Sequence, residues 1–187
     1  MTSITETRAH ALATYRWIHV RLMETLAAWV PTTPEMEAKL LLGEHIWQVA
    51  RIADALGKRT RELRAPLHDE REPAAPFRAL LTELAERDAT GERLSGLYRV
   101  VLPALSAEYG RYVRETDSLL DAPSVRLLED AQRELARMET ELDALVAELE
   151  RPDLGTSAWA DGLSARCASL GPIVDAPRAA EATAPRA

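Results

Sequence analysis

Leu128, Ala131, Leu135, Met138, Leu142, Leu145 and Leu149 recur at steps of three and four, and neither proline nor glycine interrupts the run. Apolar side chains at that period form a stripe along one side of a helix. A stripe of this length can be buried only against other helices. The rest of the chain agrees. Ala, Leu, Glu and Arg dominate its 187 residues, with 8 glycines, one phenylalanine and no β-branched run of strand length. Such a composition favours helix throughout, so the expected fold class is all-α.

Prolines divide the chain into segments. Ser3-Ile-Thr-Glu6 has the form of a capping box, and Ala11, Tyr15, Ile18, Leu22, Leu26 and Trp29 then mark one buried face up to Pro31. Thr33-Pro34-Glu35 reads as a cap, a proline at the first helical position and an acid in the first turn, predicting a second helix to about Arg64. Pro66, Pro73 and Pro76 punctuate a crossover over 65–90 that carries a short helix from Phe77 to Arg87. A third long helix is expected from Gly91 to Leu120, kinked at Pro103. Asp121-Ala-Pro-Ser124 is a tight turn into the striped fourth helix, which ends at Arg151-Pro-Asp-Leu-Gly155. Trp159, Leu163, Cys167 and Leu170 predict one last short helix. The organisation is therefore a helical bundle over 1–155, a short C-terminal helix over 156–172 packing on it or on a partner, and a disordered Ala/Pro-rich tail over 173–187.

Two long helical hairpins joined by a long crossover put their two turns at opposite ends of the bundle. With this connectivity the chain resembles the ferritin-like superfamily over residues 9–150, most sharply at Gly43-Glu-His-Ile-Trp-Gln-Val-Ala-Arg-Ile-Ala-Asp-Ala-Leu56. The resemblance implies a four-helix bundle with two metals held mid-bundle by carboxylates and Glu-x-x-His pairs.

Hairpin arithmetic locates the middle layer. The first turn centres near Thr32, so His19 and His45 stand opposite each other; the second centres between Asp121 and Ala122, setting Glu108 opposite Leu135. Each lies about thirteen residues from its turn, roughly 20 Å along a helix. On the helical wheel His19, His45 and Glu108 flank the inward faces, whereas Glu24 and Glu44 point away. The inward positions three apart are Val49 with Ile52 and Leu135 with Met138. Aligned on His45 and Trp47, the resemblance implies a ligand pair at Val49 and Ile52. Both pair positions are thus apolar, and Glu134-Leu-Ala-Arg137 offers an arginine where a ligand would be needed.

Three readings of function follow. In the first, the chain is a ferritin-like protein with a degenerate di-metal site and no cofactor, acting as a non-catalytic binding or structural partner. In the second, it is a non-haem iron oxidase or oxygenase acting on a small molecule, with a single iron held by His19, His45 and Glu108, the two-histidine, one-carboxylate set of such sites. Tyr15, Val49, Ile52, Tyr98, Tyr109, Tyr112, Leu135 and Met138 would line its pocket. The third is an interaction module docking through its C-terminal helix. Against the metal stands an ordinary alternative. A histidine at the edge of an apolar face usually bonds a carbonyl, a tyrosine or a glutamate. His10 and His68 read as surface residues, and Cys167 as a packed thiol.

The partners open to the chain are a protein, a second copy or a small-molecule ligand. Trp17, Trp29 and Trp47 are large for a bundle exterior. A net charge of −7, from 23 basic and 30 acidic residues, argues against nucleic acid or anionic lipid. One cysteine excludes an intramolecular disulfide and a cysteine-based metal site. Charges interrupt every apolar run before spanning length and no signal-type core opens the chain, so the expected location is cytoplasmic.

Overall fold

A computed structural model describes residues 3–65 and 71–174, and these are all helix, turn and connection, with no strand among the described residues. Helix α1 spans Ile4–Trp29 and opens on the expected capping box. Glu6 N–H donates to Ser3 Oγ (3.1 Å), and Ser3 N–H donates to the Glu6 carboxylate (2.7 Å). A 3₁₀ turn at Val30–Thr32 leads to α2, Met36–Glu62. This helix starts later than the Thr33-Pro34 pattern predicts, for a simple reason. Thr33 turns its hydroxyl back onto the Trp29 carbonyl (2.9 Å), closing α1 instead of capping α2. At its other end α2 stops at Glu62, and Arg64 sits in the left-handed region (φ 61°). Ala65 N–H reaches Thr60 O and Arg64 N–H reaches Arg61 O, the paired bonds of a Schellman end with arginine where glycine is usual.

Helix α3 (Ala75–Ala85) buries Phe77, Leu80, Leu81 and Leu84. Then α4 (Thr90–Gly96), a π turn (Leu97–Val101) and α5 (Leu102–Glu115) run on without a break. The expected kink at Pro103 takes the form of that π turn, in which Leu102 N–H bonds Leu97 O, five residues back. Proline brings no N–H for the carbonyl four residues before it, and its ring crowds that carbonyl. A wide turn just upstream relieves both problems. The helix also ends at Glu115 rather than Leu120, because Asp117 Oδ1 captures the amides of Leu119 and Leu120 (2.9 Å each) and builds a turn there. Helix α6 spans Ala122–Glu148, and α7, capped by Ser157, spans Ala158–Ala168.

Directions follow from the contacts at the two ends. Arg8 at the start of α1 and Arg59 at the end of α2 both reach Asp121, where α5 turns into α6. At the opposite end, Arg93 of α4 meets Thr32 and Arg151 beyond α6 meets Glu35. Hence α1 and α6 run one way, α2 and α4–α5 the other, and the two hairpin turns lie at opposite ends. Helix α1 packs on α2, α5 on α6 and α2 on α6. A continuous apolar core joins them, including all of Leu128, Ala131, Leu135, Met138 and Leu142 from the striped helix.

The C-terminal helix packs on this chain, burying Ala160 and Leu163 against α4, the π turn and α3. Two glycines make the fit. A Cβ on Gly91 would run into the Asp153 carbonyl, and one on Gly96 into the Trp159 ring and Leu84. Ile173, expected in the tail, is instead buried, and its carbonyl accepts from Ala74 N–H (2.9 Å). Residues 175–187 and His68 lie outside the described residues.

Candidate functional site

The flanking wheel positions of His19 and His45 do turn inward, and both side chains are buried. Each is held by a tyrosine. His19 Nε2 lies 2.6 Å from the Tyr109 hydroxyl, and its Nδ1 has no hydrogen-bond partner. Complete burial pushes the His19 pKa down to about 3, so the ring is neutral at pH 7. Tyr109 is raised in turn, first by burial and then by the Glu108 charge.

His45 sits in a three-member chain. Its Nε2 is 2.7 Å from Glu141 Oε2, and its Nδ1 is 2.5 Å from the Tyr98 hydroxyl. A carboxylate accepts only, which assigns the proton of a neutral ring to Nε2 and leaves Nδ1 to accept from Tyr98. Burial lowers the His45 pKa, outweighing the opposing pull of Glu141, and burial raises that of Tyr98. The Glu141 side chain is partly exposed, so the relay Tyr98–His45–Glu141 runs from the interior to the surface. Gln48, nearly buried beside it, bridges Glu134 and Arg137 once its amide is oriented to donate to the carboxylate and accept from the guanidinium.

Glu108 is turned inward as expected, but its partners are different. Tyr15 donates to Oε1 (3.2 Å), and Arg111 clamps both oxygens from Nε and Nη2 (3.1 and 2.5 Å). Tyr15 and Tyr109 pack edge to face, 4.9 Å between ring centres, linking the Glu108 and His19 groups. The structure therefore does not bring His19, His45 and Glu108 to one point. No group of three His, Cys, Asp or Glu side chains among the described residues could hold a metal ion. Tyr112 leaves the layer altogether, since its hydroxyl donates to Asp121 (2.7 Å) at the bundle end. Val49, Ile52, Leu135 and Met138 are buried.

The donor set can be tested against a two-metal carboxylate centre. Such a centre needs four or more anionic or imidazole ligands converging from facing helices. Here the pair positions are apolar, with no carboxylate or imidazole, both imidazoles are bonded to phenols, and Glu108 is neutralised by Arg111. These residues do not fit it.

The sequence does not single out Glu141, because the acidic side of α6 looks like a solvated face. The usable signal was its place next to Leu142 and three residues after Met138, at the edge of the stripe, as His45 lies at the edge of its own. Glu24 and Glu44 are exposed, as the wheel predicts; His10 is half-buried and Cys167 half-buried, with burial raising the thiol pKa. No helix of the described residues is long and apolar enough to cross a membrane. No known protein family, curated protein or solved structure matches the chain.

Proposed function

We propose that the chain is a ferritin-like helical bundle with a degenerate metal site, in which tyrosine–histidine bonds occupy the middle layer and the protein serves as a non-catalytic binding or structural partner. Support for the bundle type comes from the order of the helices and the hairpin turns at opposite ends. The observation that carries the functional reading is that both buried imidazoles are already bonded to tyrosines, His19 to Tyr109 and His45 to Tyr98. An ion taking His19 Nε2 and His45 Nδ1 would break those bonds and leave two buried phenols unpaired, at about 1–3 kcal/mol each.

One observation favours a second reading, a single-iron oxidase or oxygenase. His19 Nδ1 is a buried nitrogen without a partner, the kind of atom a ligand satisfies. Thermal unfolding with added Fe(II) or Zn(II), alongside metal analysis of the purified protein, separates the two. An ion bound at a hundredfold over its Kd would stabilise the fold by about 2.7 kcal/mol. We expect substoichiometric metal and no shift. One or two tightly held ions per chain would overturn the proposal in favour of the metal enzyme.

A further inference from the structure

The outward side of α2 carries an apolar stripe that nothing in the described chain covers. Met36, Leu40 and Trp47 are 60, 68 and 65% exposed. They stand with Gly43 at steps of four, three and four, the spacing of alternating d and a positions in a coiled-coil seam. The opposite, f-type positions, Ala38, His45 and Ile52, face the core. So the seam points squarely away from the bundle.

Gly43 sharpens the case. A Cβ there would meet nothing within 4 Å, so no contact inside the chain requires glycine. Yet a glycine inside a helix costs about 1 kcal/mol relative to alanine. Its position between Leu40 and Trp47 leaves a recess in the seam, room for a neighbouring backbone or an indole to come close.

We propose that this face is the interface of a parallel homodimer, α2 against α2 of a second copy. The charges beside the seam choose both partner and orientation. In a parallel pair, a g position meets the e position five residues later on the other helix. Here that pair is Lys39 with Glu44 of the second copy, and it occurs twice by symmetry. Neither residue makes an ion pair or side-chain hydrogen bond within the described chain, although Lys39 is only half-exposed and Glu44 lies free on the surface. An antiparallel pair would set e against e, bringing Glu37 and Glu44 of one copy against the same acids of the other. The seam is short, Met36 to Trp47 on one helix, whereas stable complexes bury roughly 1,200 Å² or more, so the dimer is weak and reversible.

Sedimentation equilibrium of the full chain, from low to several hundred micromolar, tests this. The parent should pass from monomer to dimer across that range, and Trp47→Glu should remain monomeric. Lys39→Glu and Glu44→Lys should each weaken the dimer by roughly tenfold or more. An equimolar mixture of those two variants should recover association, because each chain then meets its complement. Parent protein that stays monomeric throughout, or a dimer indifferent to Trp47→Glu, overturns the interface. A dimer that survives both charge reversals overturns the parallel arrangement. Circular dichroism of each variant confirms that it is folded. The inference does not depend on the middle layer, so metal found there would leave it standing.

Discussion

Replacing Asp121 by alanine tests the joint at one end of the bundle. The carboxylate is fully buried and accepts five contacts. Ser124 Oγ (2.6 Å) and Arg59 Nη2 (3.0 Å) meet one oxygen. Tyr112 Oη (2.7 Å), Thr116 Oγ1 (3.0 Å) and Arg8 Nε (3.5 Å) meet the other. One acid thus joins α1, α2, α5 and α6. Burial alone would raise its pKa, but the donors from Ser124, Tyr112, Arg59 and Thr116 outweigh it and hold the carboxyl below its usual range. Removing one partner of a buried charge pair costs about 3–5 kcal/mol, because the other is left uncompensated. At about 2–4 °C per kcal/mol for a chain of this size, Asp121→Ala should lower Tm by about 6–20 °C. Asp121→Asn keeps the shape but turns an amide N–H₂ toward donors, and should lose nearly as much.

Urea titrations at a series of pH values supply the second arm. The folded pKa is depressed, so the contribution is full above the unfolded value near 4 and is lost as pH falls through the folded pKa. The gap between parent and Asp121→Asn should therefore be constant from neutral pH down to about 5 and close below it. A loss under about 1 kcal/mol for both variants, or a gap that does not close in acid, would refute the assignment of Asp121 as a charged joint.

Two further outcomes are expected. His19 is held neutral with a pKa of about 3 against 6.5 in the unfolded chain, so its contribution is lost as pH falls below 6.5, by up to about 1.4 kcal/mol per pH unit. NMR of the imidazole carbons should show His19 neutral at pH 5; a protonated ring there would contradict its burial. Glu150, like Arg64, ends its helix at positive φ (51°), so Glu150→Gly should stabilise by about 0.5–1 kcal/mol in thermal melts, and a loss would show the side chain to be needed.

The helices were legible wherever a single period or cap decided them. The Leu128–Leu142 stripe, the Ser3–Glu6 box and the opposite hairpin turns needed only local spacing and loop length. Burial of His19, His45 and Glu108 was legible too, since the wheel reports which way a residue faces. Their partners were not. Tyr109, Tyr98 and Glu141 are brought to them by contacts across some fifty to ninety-six residues, which depend on how far each helix slides and rotates on its neighbour. Trp29 is core for the same reason, its indole N–H reaching the Ala85 carbonyl, whereas Thr33 is a local ambiguity, a hydroxyl able to close α1 or cap α2 that closes α1. Of the three tryptophans that look large for a bundle exterior, Trp47 alone is exposed, with Trp17 half-buried.

The π turn at Leu97–Val101 has a bearing on how one helix serves two histidines. Tyr98 and Tyr109 are eleven residues apart, and on an unbroken α-helix, at about 100° per residue, they would project within roughly 20° of each other. Yet Tyr98 bonds His45 on α2 while Tyr109 bonds His19 on α1. The wide turn absorbs about one extra residue, and so sets back the rotational phase of everything after it. Part of that setback falls between the two phenols and parts their directions. A single-residue deletion between the two tyrosines would even out the helix yet, at about 100° per residue over ten residues, still hold them roughly 80° apart, so the wide turn does the work of that shorter spacing.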